Sequence, residues 1–160
     1  MDIVINYSDI SAIVERSLSI IGKRAVDDQG NLLFKDITIG TREKEILTDY
    51  CSAAIMHIAA ELRQFVRLET PTDTTYTIRL TLDDDANPAL EDSIKQAVTE
   101  YLVAYMLYSW FTVSAPRLYQ KYLTDSQNAL SYLTYQVFNR KRPDTLPDPL
   151  APRHDPTDDN

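Results

Sequence analysis

The stretch Asn87-Pro88-Ala89-Leu90-Glu91-Asp92-Ser93-Ile94-Lys95-Gln96-Ala97-Val98-Thr99-Glu100-Tyr101-Leu102-Val103-Ala104-Tyr105-Met106-Leu107-Tyr108-Ser109-Trp110-Phe111-Thr112-Val113 decides the fold class. Asn caps a helix, Pro fits its first position, and Asp83, Asp84 and Asp85 just upstream face the positive end of the helix dipole. The pattern predicts a helix from 88 to about 113. At 1.5 Å per residue it is about 39 Å long, near the full width of a compact chain whose radius of gyration is about 15 Å, so it is the spine of the fold. From Tyr101 to Pro116 no residue is charged. Tyr101, Tyr105 and Tyr108 take one face, Ala104, Leu107 and Phe111 a second, and Leu102, Met106 and Val113 a third. A helix apolar all round is enclosed all round, either as a buried central helix or with part of its surface against another subunit. Sixteen residues fall short of the roughly 20 that cross a bilayer, and Glu100 and Arg117 bracket them, so no membrane partner is expected.

Working outward, Ser8 caps a helix from about 9 to 21 with Ile10, Ile13, Val14, Leu18 and Ile21 at helical spacing before Gly22. Residues 23–40 read as a loop, with turn formers at Asp27 to Asn31 and a short strand within Leu32 to Ile39. A second helix starts at the cap Thr41 and runs to about Phe65 along the stripe Ile46, Leu47, Tyr50, Cys51, Ala54, Ile55, Ile58, Leu62 and Phe65. Between 70 and 82 the period changes to two: Tyr76, Ile78, Leu80 and Leu82 alternate with Thr75, Thr77, Arg79 and Thr81, a half-buried strand. Its partner is residues 66–70, residues 32–39 or another subunit, and the flanking Thr70-Pro71 and Asp83–Asp85 place it in a hairpin projecting from the bundle. Pro116 starts a fourth helix with Leu118, Tyr122, Ala129, Leu130, Leu133 and Val137 on its inner face. The expected fold is mainly α, a bundle of about four helices with a small β insert near 66–82, spanning 1–139. A proline-rich extended tail, 140–160, follows.

The chain has 160 residues and a net charge of −8, so it lacks the positive field that draws nucleic acid, and no sequence-specific nucleic-acid binding is expected. Residues 1–20 have no basic start before an apolar block and do not read as a signal peptide. Three scattered glycines cannot build a phosphate-cradling loop. Cys51, the sole cysteine, has no partner for a disulfide or a zinc site, and on the apolar stripe of the second helix it reads as inert core. Asp83-Asp84-Asp85-Ala86-Asn87 opens like a calcium loop but meets Pro88 where Gly is needed and Ile94 where a bidentate Glu is needed. His57 has no second histidine closer than His154. The acids do not form the facing ExxE and ExxD pairs that would hold magnesium between helices. No catalytic residue, metal or cofactor is expected.

Ten of fifteen aromatics are tyrosines, whose flat apolar rings and wet hydroxyls suit protein interfaces as well as the rims of cores. Candidate interface residues on the spine are Tyr101, Tyr105, Tyr108, Trp110 and Phe111, joined by Tyr76 and Ile78 on the strand. In the tail, Arg140, Lys141 and Arg142 are placed to pair with acidic surface, and Leu146 and Leu150 to enter shallow pockets on an adjacent subunit, because a segment with five prolines buries too little to order itself.

The order of a short acidic-capped helix, a long helix of the Ile46-Leu47 to Ala54 to Ile58 type, a strand-bearing insert, and Asn87-Pro88-Ala89-Leu90 to Ile94-Lys95-Gln96-Ala97 to Tyr105 resembles the head-to-tail adaptor (connector) proteins of tailed bacteriophages. The resemblance covers about residues 8–113. It implies a non-enzymatic virion neck protein, made in the host cytoplasm, that forms a homo-oligomeric ring and contacts the portal protein and the tail or neck proteins. Two features depart from the family: the fourth helix with its tail, and the long 23–40 connection. The residues also fit a soluble helical regulator or ligand-binding module with an apolar pocket between the third and fourth helices.

Overall fold

The computed structural model describes residues 2–22, 29, 31, 40–68, 75–81 and 90–138. Its elements are β1 (Asp2–Asn6), α1 (Tyr7–Gly22), α2 (Thr41–Glu61), β2 (Val66–Leu68), β3 (Thr75–Leu80), α3 (Glu91–Ser114) and α4 (Pro116–Phe138). It is mainly helical, four helices with a small antiparallel sheet. α1 buries Ile10, Val14, Leu18 and Gly22 at a strict spacing of four, and α2 buries Leu47, Cys51, Ala54, Ile55 and Ile58. Each places one stripe inward, as a 3.6-residue repeat requires. Fully burying a Leu or Ile contributes about 1.5–3 kcal/mol, and such residues from every element but α4's first turns share one core.

α3 is the spine that its composition predicts: it packs against α1, α2 and α4. Ile94, Ala97, Val98, Tyr101, Leu102, Met106, Leu107 and Phe111 are buried along it. The enclosure is incomplete, since Val113 at its end is 78% exposed. Ala115 leaves the helix at φ −152°, ψ 79° while its N–H still bonds the Phe111 carbonyl. Extended backbone is what a residue before proline adopts, and Pro116 opens α4 at once. The chain therefore reverses through one residue, and α3 and α4 form an antiparallel hairpin in which Tyr108 meets Tyr119 and Phe111 meets Tyr122.

Several sequence expectations need correction. α2 does not reach Phe65: it ends at Glu61, and the Phe65 and Val66 N–H groups both bond back to the Leu62 carbonyl while the Phe65 carbonyl accepts from Thr81 N–H. The sheet has recruited the helix end. The α2 cap is Gly40, not Thr41, with extended backbone and its carbonyl bonded by Lys44 N–H, and α1 begins at Tyr7, directly after β1. The strand at 75–80 does pair with 66–68, but it does not project. It is the central strand of three, order β1-β3-β2, because the unforeseen β1 closes its other side in the register Ile3↔Ile78 and Ile5↔Tyr76. Ile3, Ile5, Val66, Ile78 and Leu80 turn into the common core, so the apolar face of the sheet is covered by the chain's own helices. On the outer face Arg79 grips Asp2 with two bonds, 2.7 and 3.0 Å, which hold the Asp2 carboxyl below its usual range. The 32–39 strand, the Asn87 and Asp83–Asp85 capping and the tail lie outside the described residues.

Burial pushes the Cys51 thiol up to about 11. The native chain should thus react with an aromatic disulfide reagent at pH 8 only as fast as it opens, and fully in denaturant. The unfolded thiol ionises near 8.5, so this group leaves stability untouched below that pH. Between about 8.5 and 11 it lowers stability, since there the unfolded state holds fewer protons. Equal labelling rates with and without denaturant would refute the buried placement.

Candidate interaction surface

α3 turns Tyr101, Tyr105 and Tyr108 toward one side because residues three and four apart share a helical face. Across from them α4 supplies Leu123, Ser126, Gln127 and Leu130 at the same spacing, and α2 supplies His57. Together these eight residues line an open groove of about 370 Å³. The rings form a continuous row: His57 to Tyr105 5.1 Å, Tyr101 to Tyr105 5.9 Å, Tyr105 to Tyr108 6.0 Å and Tyr108 to Tyr119 6.4 Å between centroids. These separations and tilts are those at which ring edges and faces attract.

The Tyr101 and Tyr105 hydroxyls stay protonated at neutral pH. Burial, with the neighbouring Tyr105 hydroxyl and Glu61, raises Tyr101 well above the ordinary phenol range. Burial and Tyr108 raise Tyr105, while a hydrogen bond with Ser109 pulls it partly back. Protonated phenols donate, so the groove offers flat apolar faces with donors at their tips. Such donors beside flat apolar faces can bond backbone carbonyls next to apolar side chains. Among the described residues no group of three His, Cys, Asp or Glu side chains is placed to hold a metal ion, and none of the described helices is long and apolar enough to cross a membrane.

The interface residues expected from sequence divide three ways. Tyr105, Tyr108 and Trp110 are half-buried and reach the surface. Tyr101 at 2% exposure, Phe111 and Ile78 are buried in the chain's own core. Tyr76 is half-buried with its hydroxyl bonded to Ser52 of α2, tying sheet to bundle. Arg140, Lys141, Arg142, Leu146 and Leu150 lie outside the described residues. Sequence reasoning named Leu130 on the inner face of the fourth helix but missed His57 as a groove wall and the companions Leu123, Ser126 and Gln127, whose spacing of three and four was the available signal.

Other surfaces stand out. On the last turns of α4, Tyr132, Tyr135 and Phe138 are exposed, the last two at 64% and 53%, and the Phe138 ring meets Phe65 edge-on at 4.9 Å. Along β1, an edge strand of the sheet, runs a groove of about 420 Å³ walled by Asp9, Ile10 and Ile13 of α1 and by Lys95 and Thr99 of α3. Comparison with family models, with curated proteins and with solved structures gave no match.

Proposed function

We propose that the chain is a structural protein, a ring-forming adaptor that joins a phage portal to the next neck or tail component. It assembles in the host cytoplasm, ends in the virion and carries out no chemical step. The observation that carries this reading is the exposed aromatic surface at the end of α4, Tyr132, Tyr135 and Phe138. Exposed rings on successive helical turns are surface that a second chain covers. The helical order that resembles the adaptor family supports it. Sedimentation of the purified chain, alone and with a portal protein, is the test: a ring-sized species or co-assembly supports the reading, and a monomer under both conditions refutes it.

Tyr135→Ala should weaken that assembly by about 2 kcal/mol, the scale of an aromatic anchor, while circular dichroism stays unchanged because the ring is exposed. Loss of helicity together with assembly would instead make Tyr135 a residue of the fold.

A second reading, a helical ligand-binding module, is favoured by the tyrosine-lined groove, whose 370 Å³ falls within the range of about 300–1,000 Å³ typical of ligand sites. A monomer that binds a small apolar ligand in the groove would favour it over the ring.

A further inference from the structure

We propose that the two outer edges of the sheet meet between copies: β2 of one chain pairs in parallel with β1 of the next, so that the sheet runs on from neighbour to neighbour. This contact presupposes the ring reading and is one of the surfaces that hold the ring together. Both edges are open, since the strand order is β1-β3-β2 and among the described residues no further strand pairs with β1 or β2. β1 and β2 each run antiparallel to β3, so they run parallel to each other, and copies set side by side in one orientation bring β2 against β1 in parallel.

The charges on the outer face pick the partner. The register sets Asp2, Arg79 and Arg67 in one row across the three strands. Arg79 holds Asp2 with two bonds, but Arg67 stands directly opposite Arg79, and among the described residues no carboxylate pairs with it. Like charges facing each other across strands destabilise a sheet. When the row continues into the next copy, the Asp2 carboxylate of that copy comes to lie beside Arg67, and each carboxylate then sits between two guanidinium groups. Asp2 has room for this: its side chain is 47% exposed, and each of its oxygens keeps a lone pair after bonding Arg79.

The backbone and the inner face agree with the same row. The Phe65 carbonyl accepts from Thr81 N–H, and backbone groups alternate sides along antiparallel strands. Arg67 therefore turns its N–H and C=O toward β3 and Leu68 turns its pair outward; carried through β3 to β1, the alternation turns those of Asp2 and Val4 outward. Setting Leu68 opposite Ile3 of the next copy lets Leu68 N–H bond the Asp2 carbonyl and Val4 N–H bond the Leu68 carbonyl, the slanted pattern of a parallel pair. On the inner face the row Ile3, Ile78, Leu68 is extended, and Leu68, 37% exposed in the single chain, gains an apolar neighbour. Because the two edges differ, the contact is head-to-tail, the kind that closes into rings. Pairing β1 with β1 about a two-fold axis would stop at two chains and leave Arg67 facing Arg79.

Disulfide trapping tests the contact. Chains carrying Asp2→Cys are mixed with chains carrying Arg67→Cys and oxidised mildly, the native Cys51 being buried. Within one chain the two sites are two strand spacings apart, about 9.6 Å, beyond the roughly 7 Å that a disulfide spans, so a bond between them joins two copies. We expect covalent pairs holding one chain of each kind, and a ladder of higher oligomers from the double variant. Arg67→Glu should raise the protein concentration at which half the chains assemble by about tenfold or more, since it sets two acids side by side at the contact. Its urea midpoint should hold or rise, because within the chain it relieves Arg79. Rings that form without these disulfides, assembly undisturbed by Arg67→Glu, or Val4→Cys chains that link mainly to one another would each overturn this contact and leave the ring reading standing. A chain that stays monomeric in sedimentation, alone and with a portal protein, overturns both.

Discussion

Phe111→Ala should lower the free energy of unfolding by about 3–5 kcal/mol, the cost of removing a fully buried aromatic ring. Phe111 has no exposed surface and stacks on Tyr122 of α4 at 4.9 Å with 21° between ring planes. It stands at the closed end of the α3–α4 hairpin, four residues before Ala115, and its carbonyl accepts the bond that turns the chain. The substitution therefore leaves a cavity where two helices are held together, while the turn's hydrogen bond survives. Urea unfolding followed by circular dichroism measures the loss as a fall in midpoint with little change in slope. Phe111→Leu, which refills most of the space, should cost clearly less. If Phe111 were a subunit contact, the alanine variant would keep its midpoint as a monomer and change only the assembled mass.

Ile78→Ala should cost about 2–5 kcal/mol. Ile78 is the middle of a row across the inner face of the sheet, with Ile3 of β1 and Leu68 of β2 as its cross-strand partners. It is fully buried, so its truncation removes packing from both neighbouring strands and from the helices beneath. Arg79→Ala at the next position breaks a pair that is half exposed and should cost far less, since exposed ion pairs contribute little. A denaturation series on the two variants checks the contrast, and comparable losses would mean that the sheet does not sit on the bundle.

Much of the helical architecture was legible in the sequence because it rests on local patterns. Ile10, Val14 and Leu18 recur at helical spacing whatever lies beside them, Pro116 cannot continue a helix that precedes it, and the uncharged run from Tyr101 demands cover on several sides. The alternation from Thr75 to Leu80 likewise announced a strand. What α3 and β3 would be covered by was a different matter. An apolar face fixes that a residue seeks burial, and carries no label for the surface that buries it. Tyr101, Phe111 and Ile78 read equally as contacts with another subunit until the folded chain buried them in its own core.

The tertiary structure decided three things. It made a strand of Asp2–Asn6, whose apolar run Ile3-Val4-Ile5 hides the alternation because Val4 faces outward, and whose stability comes from the hydrogen bonds and side-chain pairs that β3 provides. It ended α2 at Glu61 although its apolar stripe continues, because the carbonyl of Phe65 is used by the sheet. And it assembled the groove from three helices, bringing His57, Tyr105 and Gln127 together from positions as much as 70 residues apart. Periodicity along one chain segment specifies which face of an element turns inward; which faces meet is set by the packing of all of them at once.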